Sequence, residues 1–231
     1  MANMRFFNEI KNIFYPNICL NCETVLSINE KQLCTLCLFN LPLTNYLKNN
    51  DKSVEKIFYG RVKIERATAF LFYNKKGITQ TLIHKLKYKG YEEIGGFFGD
   101  WFGEILKDNN SFNNIDYIIP VPLHKKRQKV RGYNQLTKFG ERLSINMNKP
   151  FLENILIKKA SSKTQTKKSR LERIKNVNKL FFLTDLEIFQ NKHILLIDDI
   201  ITTGATIEAC ANELFLTKNI KISIISMAIS E

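Results

Sequence analysis

Two adjacent carboxylates, Asp198 and Asp199, end the apolar run at 194–197 and are followed by a turn rich in hydroxyl groups. Ionised carboxylates accept strong hydrogen bonds from vicinal hydroxyls, and they are also ligands for Mg²⁺. The helix predicted after the turn begins with unpaired backbone N–H groups, which favour an anion such as phosphate. A ligand with a phosphate on one side and a diol on the other is a ribose 5-phosphate. The residues predicted to surround its phosphate are Thr202, Thr203, Gly204, Ala205 and Thr206.

A second polar group lies upstream, in residues 118–135, which contain five Lys and Arg and no acidic residue. Because Pro120 and Pro122 stiffen the exit of a strand, these cations are predicted to lie on a loop. Such a loop favours a polyanionic partner or substrate, although a solvated basic loop has the same composition. The cations are Lys125, Lys126, Arg127, Lys129 and Arg131, and His124 lies beside them.

The longest polar interruption covers residues 158–179. From Lys158 to Lys175 it holds eight Lys and Arg and one acid, Glu172. Loops of this length are often lids over a binding site, and a basic surface of this kind also suits a nucleic-acid strand. A plain solvated loop is the third interpretation. The residues assigned to a lid or DNA surface are Lys163, Gln165, Lys167, Lys168, Arg170 and Arg173.

Four of the five cysteines form two Cys-x-x-Cys pairs, at Cys19 and Cys22 and at Cys34 and Cys37, with eleven residues between the pairs. Two such pairs can hold one tetrahedral Zn²⁺ through thiolate ligands. In a reducing compartment a zinc site is favoured over disulfides. Residues 1–45 are therefore predicted to form a small zinc-ribbon module, with a structural metal because four protein ligands leave no open position.

The elements that must position these groups alternate between strands and helices from residue 57 onward. This order predicts an α/β domain at 57–231, with a parallel sheet covered by helices on both faces. Ligands of such sheets bind at the carboxyl ends of the strands, where Asp198 and Asp199 lie. The helix at 94–106 is expected to have one apolar face formed by Phe97, Trp101 and Ile105. Strands are predicted at 67–73, 115–122, 193–198 and 220–230, and helices at 75–88, 94–106, 131–147 and 206–219.

The net charge of the 231-residue chain is +13, which favours a polyanionic partner or substrate, although a generally lysine-rich proteome would give the same excess. No stretch approaches the roughly 18 consecutive apolar residues that span a bilayer. The first residues also lack the apolar core of a signal peptide. We therefore expect a cytoplasmic protein without a membrane span.

The string ILLIDDIITTGAT at 194–206 resembles the phosphoribosyl pyrophosphate (PRPP) motif of type I phosphoribosyltransferases. In that family the two acids hold the ribose 2′- and 3′-hydroxyls and the turn cradles the 5-phosphate. The strings HKLKYKG, PVPLHKKRQKVRGYNQ and TQTKKSRLERIKNVNKLF extend the likeness to the ComF family. ComF proteins are competence-associated, phosphoribosyltransferase-like proteins linked to DNA uptake, and similar zinc modules occur at their N-terminal end. The resemblance covers nearly the whole chain.

The ComF resemblance assigns roles residue by residue. It implies a type I phosphoribosyltransferase-like sheet, with Mg²⁺ bound together with PRPP at Asp198 and Asp199. Lys87 and Gly90 match one family block; Arg131, Gly132, Asn134 and Gln135 match a second; Thr164, Gln165, Arg173, Asn176 and Phe181 match a third. The residues expected near the pyrophosphate are Lys87, His124, Lys125, Arg127, Arg131, Asn134 and Gln135.

Three functions follow from the resemblance. One is a Mg²⁺-PRPP-binding protein of natural transformation that handles internalised single-stranded DNA beside a competence helicase or recombination protein. Another is an active phosphoribosyltransferase that transfers the phosphoribosyl group of PRPP to an unidentified acceptor and releases pyrophosphate, so whether the chain is an enzyme stays open. The third is a PRPP sensor in which ligand closure of the 158–179 loop alters the affinity for DNA or a partner.

Overall fold

A computed structural model describes residues 16–158, 181–184 and 187–230. Its helices are α1 (Thr35–Phe39), α2 (Ser53–Lys56), α3 (Ile78–Tyr88), α4 (Glu93–Lys107), α5 (Lys125–Arg131), α6 (Thr137–Met147) and α7 (Ala205–Leu214). Its strands are β1 (Ala67–Tyr73), β2 (Tyr117–Pro120), β3 (Leu156–Lys158), β4 (Phe181–Leu183), β5 (His193–Ile201) and β6 (Lys221–Ser230). Short 3₁₀ helices cover Asn110–Phe112 and Glu187–Phe189. The predicted lid or DNA surface falls outside the described residues: Lys163, Gln165, Lys167, Lys168, Arg170 and Arg173.

Four strands form a parallel sheet in the order β1-β6-β5-β2, and β3 pairs with β4 in a separate antiparallel hairpin. The two central strands, β5 and β6, are buried along most of their length, as expected for a parallel sheet covered on both faces. The prediction of a parallel sheet flanked by helices is confirmed. Strand β5 was predicted to end at Asp198, but it continues to Ile201, so both aspartates lie within the strand.

Both edges of the sheet are covered by further chain. Leu43 forms an antiparallel bridge with Leu71 of β1, and Phe151 forms a parallel bridge with Ile118 of β2. Pro120 ends β2, an outer strand, where the missing N–H costs least because one side of the strand has no neighbouring strand in the sheet. The open hydrogen-bonding edges that promote aggregation are thereby shortened.

Helices α4 and α6 pack at very close range, and glycines make this contact possible. A Cβ added at Gly99 would lie 2.7 Å from the backbone oxygen of Phe139, and one added at Gly103 would lie 2.8 Å from the Cβ of Asn146. The glycines therefore favour helix packing here, although each lowers intrinsic helix propensity. The sequence singled out Phe97, Trp101 and Ile105, but the more deeply buried stripe is Ile94, Phe98, Phe102 and Leu106.

The prediction of a basic loop before a helix at 131–147 is wrong. Most of the cationic residues lie on helix α5, and the second helix begins only at Thr137. Between them Gly132 adopts φ +82°, a left-handed conformation that interrupts the helical path. The predicted loop residues Lys125, Lys126, Arg127, Lys129 and Arg131 are thus helical, and the side chains of Lys125 and Lys126 lie outside the described part.

The cysteine module packs against the core of the sheet domain through its described residues. Leu20 and Leu33 are buried in the same apolar cluster as the strands. Phe72 of β1 donates its backbone N–H to the carbonyl of Pro42, and Lys85 of α3 lies 3.6 Å from the carboxylate of Glu23. Among the described residues, no helix is long and apolar enough to cross a membrane.

Candidate phosphosugar site

The acidic pair lies near the carboxyl end of β5, where Asp198 is in register with Ser226 of β6. Successive residues of a strand point to opposite faces, so the two carboxylates leave the strand in different directions. The Asp199 side chain is buried and that of Asp198 is partly exposed. The backbone N–H of Asp199 also donates to Oδ1 of Asp198 at 2.8 Å.

Asp199 is held by two of the residues that the sequence assigned to pyrophosphate binding. Lys87 Nζ lies 2.7 Å from Oδ1 of Asp199, and Gln135 Nε2 donates to Oδ2 at 2.6 Å. Arg131 Nη1 in turn donates to Oε1 of Gln135 at 2.6 Å. Lys87 at the end of α3 and Gln135 before α6 therefore bind Asp199 directly, and Arg131 of α5 is linked to it through Gln135.

Asp198 lies in a different electrostatic environment. Although Asp198 is partly exposed as a residue, its carboxyl lies among packed protein atoms; this desolvation, and next the negative charge of Asp199, raise the pKa of Asp198 from 3.8 to about 8. Without a ligand the carboxyl is therefore mostly protonated at neutral pH. Mg²⁺ or a ribose diol that needs the ionised form would expel this proton on binding.

The turn after β5 is open to solvent, apart from Gly204. Thr202, Thr203 and Thr206 are exposed, and Ala205 begins α7, which is ten residues long. Gly204 precedes the helix with φ +73°, a conformation that L-residues adopt at a cost. Helix α7 thus begins at an exposed turn after the acidic pair, and a helix N-terminus favours a phosphate. The backbone N–H of Ala205 donates to Oγ1 of Thr203 at 3.4 Å.

A segment before β1 supports this turn, and the sequence analysis did not identify it. A Cβ added at Gly204 would lie 2.8 Å from Cε1 of Phe58, which is fully buried. Arg61 Nη1 donates to the carbonyl of Thr203 at 2.7 Å, and Arg61 Nε donates to Glu208 of α7 at 3.0 Å. These residues lie far from the motif in sequence, and no local pattern marks them.

The other residues predicted for this site lie on α5 or in the segments beside α3, α5 and α6. Arg127 of α5 is exposed and His124, just before α5, is partly exposed. Asn134 uses its side-chain oxygen to accept from the backbone N–H of Leu136 at 3.1 Å. Gly90 adopts φ +78° and ends the turn after α3, where only a glycine fits easily.

The four N-terminal cysteines form one cluster. Their sulfur atoms all lie within 4.8 Å of one another, and those of Cys22 and Cys34 are 3.6 Å apart. A tetrahedral Zn²⁺ with Zn–S bonds of about 2.3 Å places its ligands roughly 3.8 Å apart, so the cluster can bind a metal such as zinc. A hydrogen bond from the Thr24 side chain lowers the pKa of Cys22 to about 6, whereas burial raises the pKa of Cys37 to about 12. Metal binding deprotonates such thiols, and a shared ion then links the two Cys-x-x-Cys pairs.

The parallel sheet, the acidic pair and the threonine-rich turn together resemble the fold of phosphoribosyltransferases. More particularly, the chain is similar in sequence to competence proteins of the ComF type. It is 26% identical over 198 residues to the competence protein ComFC of Bacillus subtilis, covering 84% of this chain and 76% of that protein. It is 38% identical over 91 residues to competence protein F of Haemophilus influenzae, covering 39% and 40%. No family model matches the chain.

A further relative is the DNA utilization protein YhgH of Escherichia coli K12, 29% identical, with 56% of this chain and 58% of that protein covered. The chain therefore spans only about half the length of two of these three relatives. Similar solved structures include the glutamine PRPP amidotransferase of B. subtilis, with 14% identity, a TM-score of 0.41, and 61% and 30% of the two chains covered. The adenine phosphoribosyltransferase of Leishmania tarentolae has 13% identity and a TM-score of 0.36, with 62% and 74% covered.

Proposed function

We propose that this protein binds Mg²⁺-PRPP at the carboxyl edge of its sheet and acts in the cytoplasm in DNA uptake, by handling internalised single-stranded DNA. The observation that carries the ligand half is the placement of Asp198 and Asp199 beside the open N-terminus of α7. The names of the relatives, competence protein and DNA utilization protein, support the DNA half.

In this proposal the ligand lies across β5 and the turn. The N–H groups at the start of α7 and the hydroxyls of Thr202, Thr203 and Thr206 bind the 5-phosphate. The carboxylates of Asp198 and Asp199 bind the ribose hydroxyls and Mg²⁺, whose preferred ligands in proteins are oxygens. Mg²⁺ would neutralise the pyrophosphate when it is bound.

Both oxygens of the Asp199 carboxylate have side-chain partners. Lys87 compensates the charge of Asp199 directly, and Gln135 satisfies the other oxygen of that carboxylate. The ligand must therefore compete with or extend this network. In this proposal the partners of the pyrophosphate are Lys125, Arg127 and Arg131 of α5, together with His124 just before that helix.

The proposal is tested by titrating Mg²⁺-PRPP into the zinc-loaded protein by calorimetry, with ribose 5-phosphate for comparison. The double variant Asp198→Asn with Asp199→Asn should lose PRPP binding. Asp100→Asn is the matched control, because it makes the same change at a carboxylate that pairs with Arg142 between α4 and α6, away from the edge. Unchanged affinity in the double variant would refute the assignment of the two carboxylates. A thermal melt of each variant shows whether the fold is kept.

One observation favours an active transferase as the second candidate. A cleft of about 450 Å³ opens beside the acidic edge, between the end of β2 and the hairpin strand β3. Its wall at Pro120 is in register with Ile197, the residue before Asp198. The cleft combines apolar surface from Leu156 and Ile157 with polar groups such as Asn134, a mixture typical of small-molecule sites. Pyrophosphate release that depends on an added acceptor would identify this activity.

A further inference from the structure

We propose that an exposed aromatic and basic surface at the end of α3 binds the bases of a single DNA strand by stacking. We call this surface the Tyr88 platform, formed by Tyr88, Arg127, Val130 and Arg131. The inference rests on the DNA-handling half of the proposed function and assigns it a location among the described residues. The platform consists of other residues than the basic 158–179 segment, for which the sequence suggests a lid or a DNA surface.

The Tyr88 platform is largely exposed to solvent, although it includes an aromatic ring and a valine. Tyr88 is 61% exposed and Val130 is 87% exposed. Together with Arg127 and Arg131 they line a shallow groove of about 300 Å³. An aromatic ring left in water beside an exposed valine is apolar surface that the fold has not used for its own core, and such surface marks interaction sites.

The chemistry of the platform suits a nucleobase. The guanidinium carbon of Arg131 lies 5.0 Å from the centroid of the Tyr88 ring, so the ring already carries a cation on one side. Helix α5 contributes exposed Arg127 and Lys129, and the whole helix contains no acidic residue. Stacking on an aromatic ring within a basic groove is the usual way in which proteins bind single strands without reading sequence.

The composition favours a single strand over other polyanions. In a duplex the base faces are stacked on one another and cannot reach an exposed ring, so a duplex would use only the cations. An anionic lipid surface would likewise use the charges, and it would gain little from one tyrosine beside one valine. Dependence on the aromatic ring, rather than on charge, therefore distinguishes the proposed partner.

The Tyr88 platform is linked to Asp199 along two paths. Arg131, which lies over Tyr88, also donates to Gln135, and Gln135 donates to Asp199. Lys87, the residue before Tyr88, pairs with Asp199 directly. Replacement of Arg131 would therefore disturb both the platform and the phosphosugar site. Replacement of Tyr88 removes the stacking ring and leaves every described hydrogen bond to Asp199 in place.

The test measures binding of a fluorescent oligodeoxythymidylate to the full chain by anisotropy, across a series of salt concentrations. Tyr88→Ala should weaken binding roughly 5- to 140-fold, because stacking contributes about 1–3 kcal/mol per base. Tyr88→Phe keeps a ring and should bind like the wild type. Tyr59→Ala is the matched control, because Tyr59 is 63% exposed and has no cation over its ring among the described contacts. Tyr88→Ala should leave Mg²⁺-PRPP binding unchanged.

The possible results separate the inference from the proposed function. If Tyr88→Ala binds the strand as tightly as the wild type, the platform is refuted while DNA handling through another surface stands. If the wild type binds no strand at all, both are refuted. If Tyr88→Ala weakens binding to a duplex or to anionic vesicles as much as to the single strand, the surface is a general polyanion site and the stacking inference is wrong.

Discussion

Gly204 offers the sharpest test of how the phosphate turn is held. Replacing Gly204 with Ala places an L-residue at φ +73° and brings its Cβ within 2.8 Å of Phe58 Cε1 and 3.1 Å of Ile57 Cγ2. The left-handed conformation costs about 1–2 kcal/mol. Overpacking against a fully buried ring adds about 1–3 kcal/mol. We therefore expect Gly204→Ala to lower the free energy of unfolding by about 2–5 kcal/mol.

Gly60 provides the matched control for this substitution. It adopts φ +70°, almost the same backbone conformation, but a Cβ added there meets no atom within 4 Å. Gly60→Ala should therefore show the conformational cost alone, about 1–2 kcal/mol. The difference between the two variants isolates the contact with the Phe58 ring. Urea denaturation measures both, and an unchanged m value would show that only stability has changed.

A second variant shows whether Phe58 causes the difference. In the Gly204→Ala background, Phe58→Leu removes the ring edge that the new methyl group contacts. The two changes should then be less costly together than the sum of the single variants, as a double-mutant cycle detects. Equal losses at Gly204 and Gly60, or strict additivity with Phe58→Leu, would refute the idea that the segment before β1 supports the turn.

Two further predictions concern Asp198 and the cysteine cluster. Because burial and the charge of Asp199 raise the pKa of Asp198 to about 8, the folded protein keeps a proton that the unfolded chain loses near pH 4. Stability should therefore fall as pH rises from about 4 to 8, by about 1.4 kcal/mol for each unit of pKa shift that is realised. Asp198→Asn should flatten this slope in urea denaturation, and an unchanged slope would contradict the assignment. Cys19→Ser should release zinc to a chelating dye and lower the melting temperature, whereas Cys210→Ala, at the buried fifth cysteine, should keep the metal. A wild type that is equally stable without metal would rule out a structural zinc.

The four strands of the parallel sheet were predictable from the sequence because their signal is local. ATAFLFY gave the bounds of β1 without error, since a short apolar run rich in aromatic residues fits a buried strand. The final strand was placed within one residue for the same reason. The extension of β5 past the aspartates was missed, because charged residues interrupt an apolar pattern even where the backbone pairing with β6 continues.

The helices were predicted less well where their position or buried face depends on contacts with neighbouring elements. In α4 the glycines look unfavourable by propensity, and only the close approach of α6 explains them. The buried stripe of α4 is set by that contact, and aromatic residues occur on two adjacent stripes. In α5 a row of cations without an acid, preceded by two prolines, has the composition of a loop although it forms a helix.

The candidate site was predictable in its motif and not in its surroundings. Asp198, Asp199 and the turn are contiguous in sequence, so their spacing carries the chemistry. The contacts of Asp199 with Lys87 and Gln135 depend on where α3 and α6 pack, which no spacing along the chain reveals. Arg61 and Phe58 are the extreme case, because they contact the turn only through the tertiary fold.

The strand order has a consequence for how the protein is made. β6, the final strand in the chain order, lies inside the sheet, between β1 and β5, so Ala67 pairs with Ile224. During synthesis at about 5–20 residues per second, β1 waits on the order of ten seconds for this partner to leave the ribosome. Until then β1 has no neighbour in the parallel sheet and β5 can pair only with β2, so the edges that β6 will cover are open to other chains. The nascent protein is thus a natural client for a chaperone, and its sheet can close only after translation has passed β6.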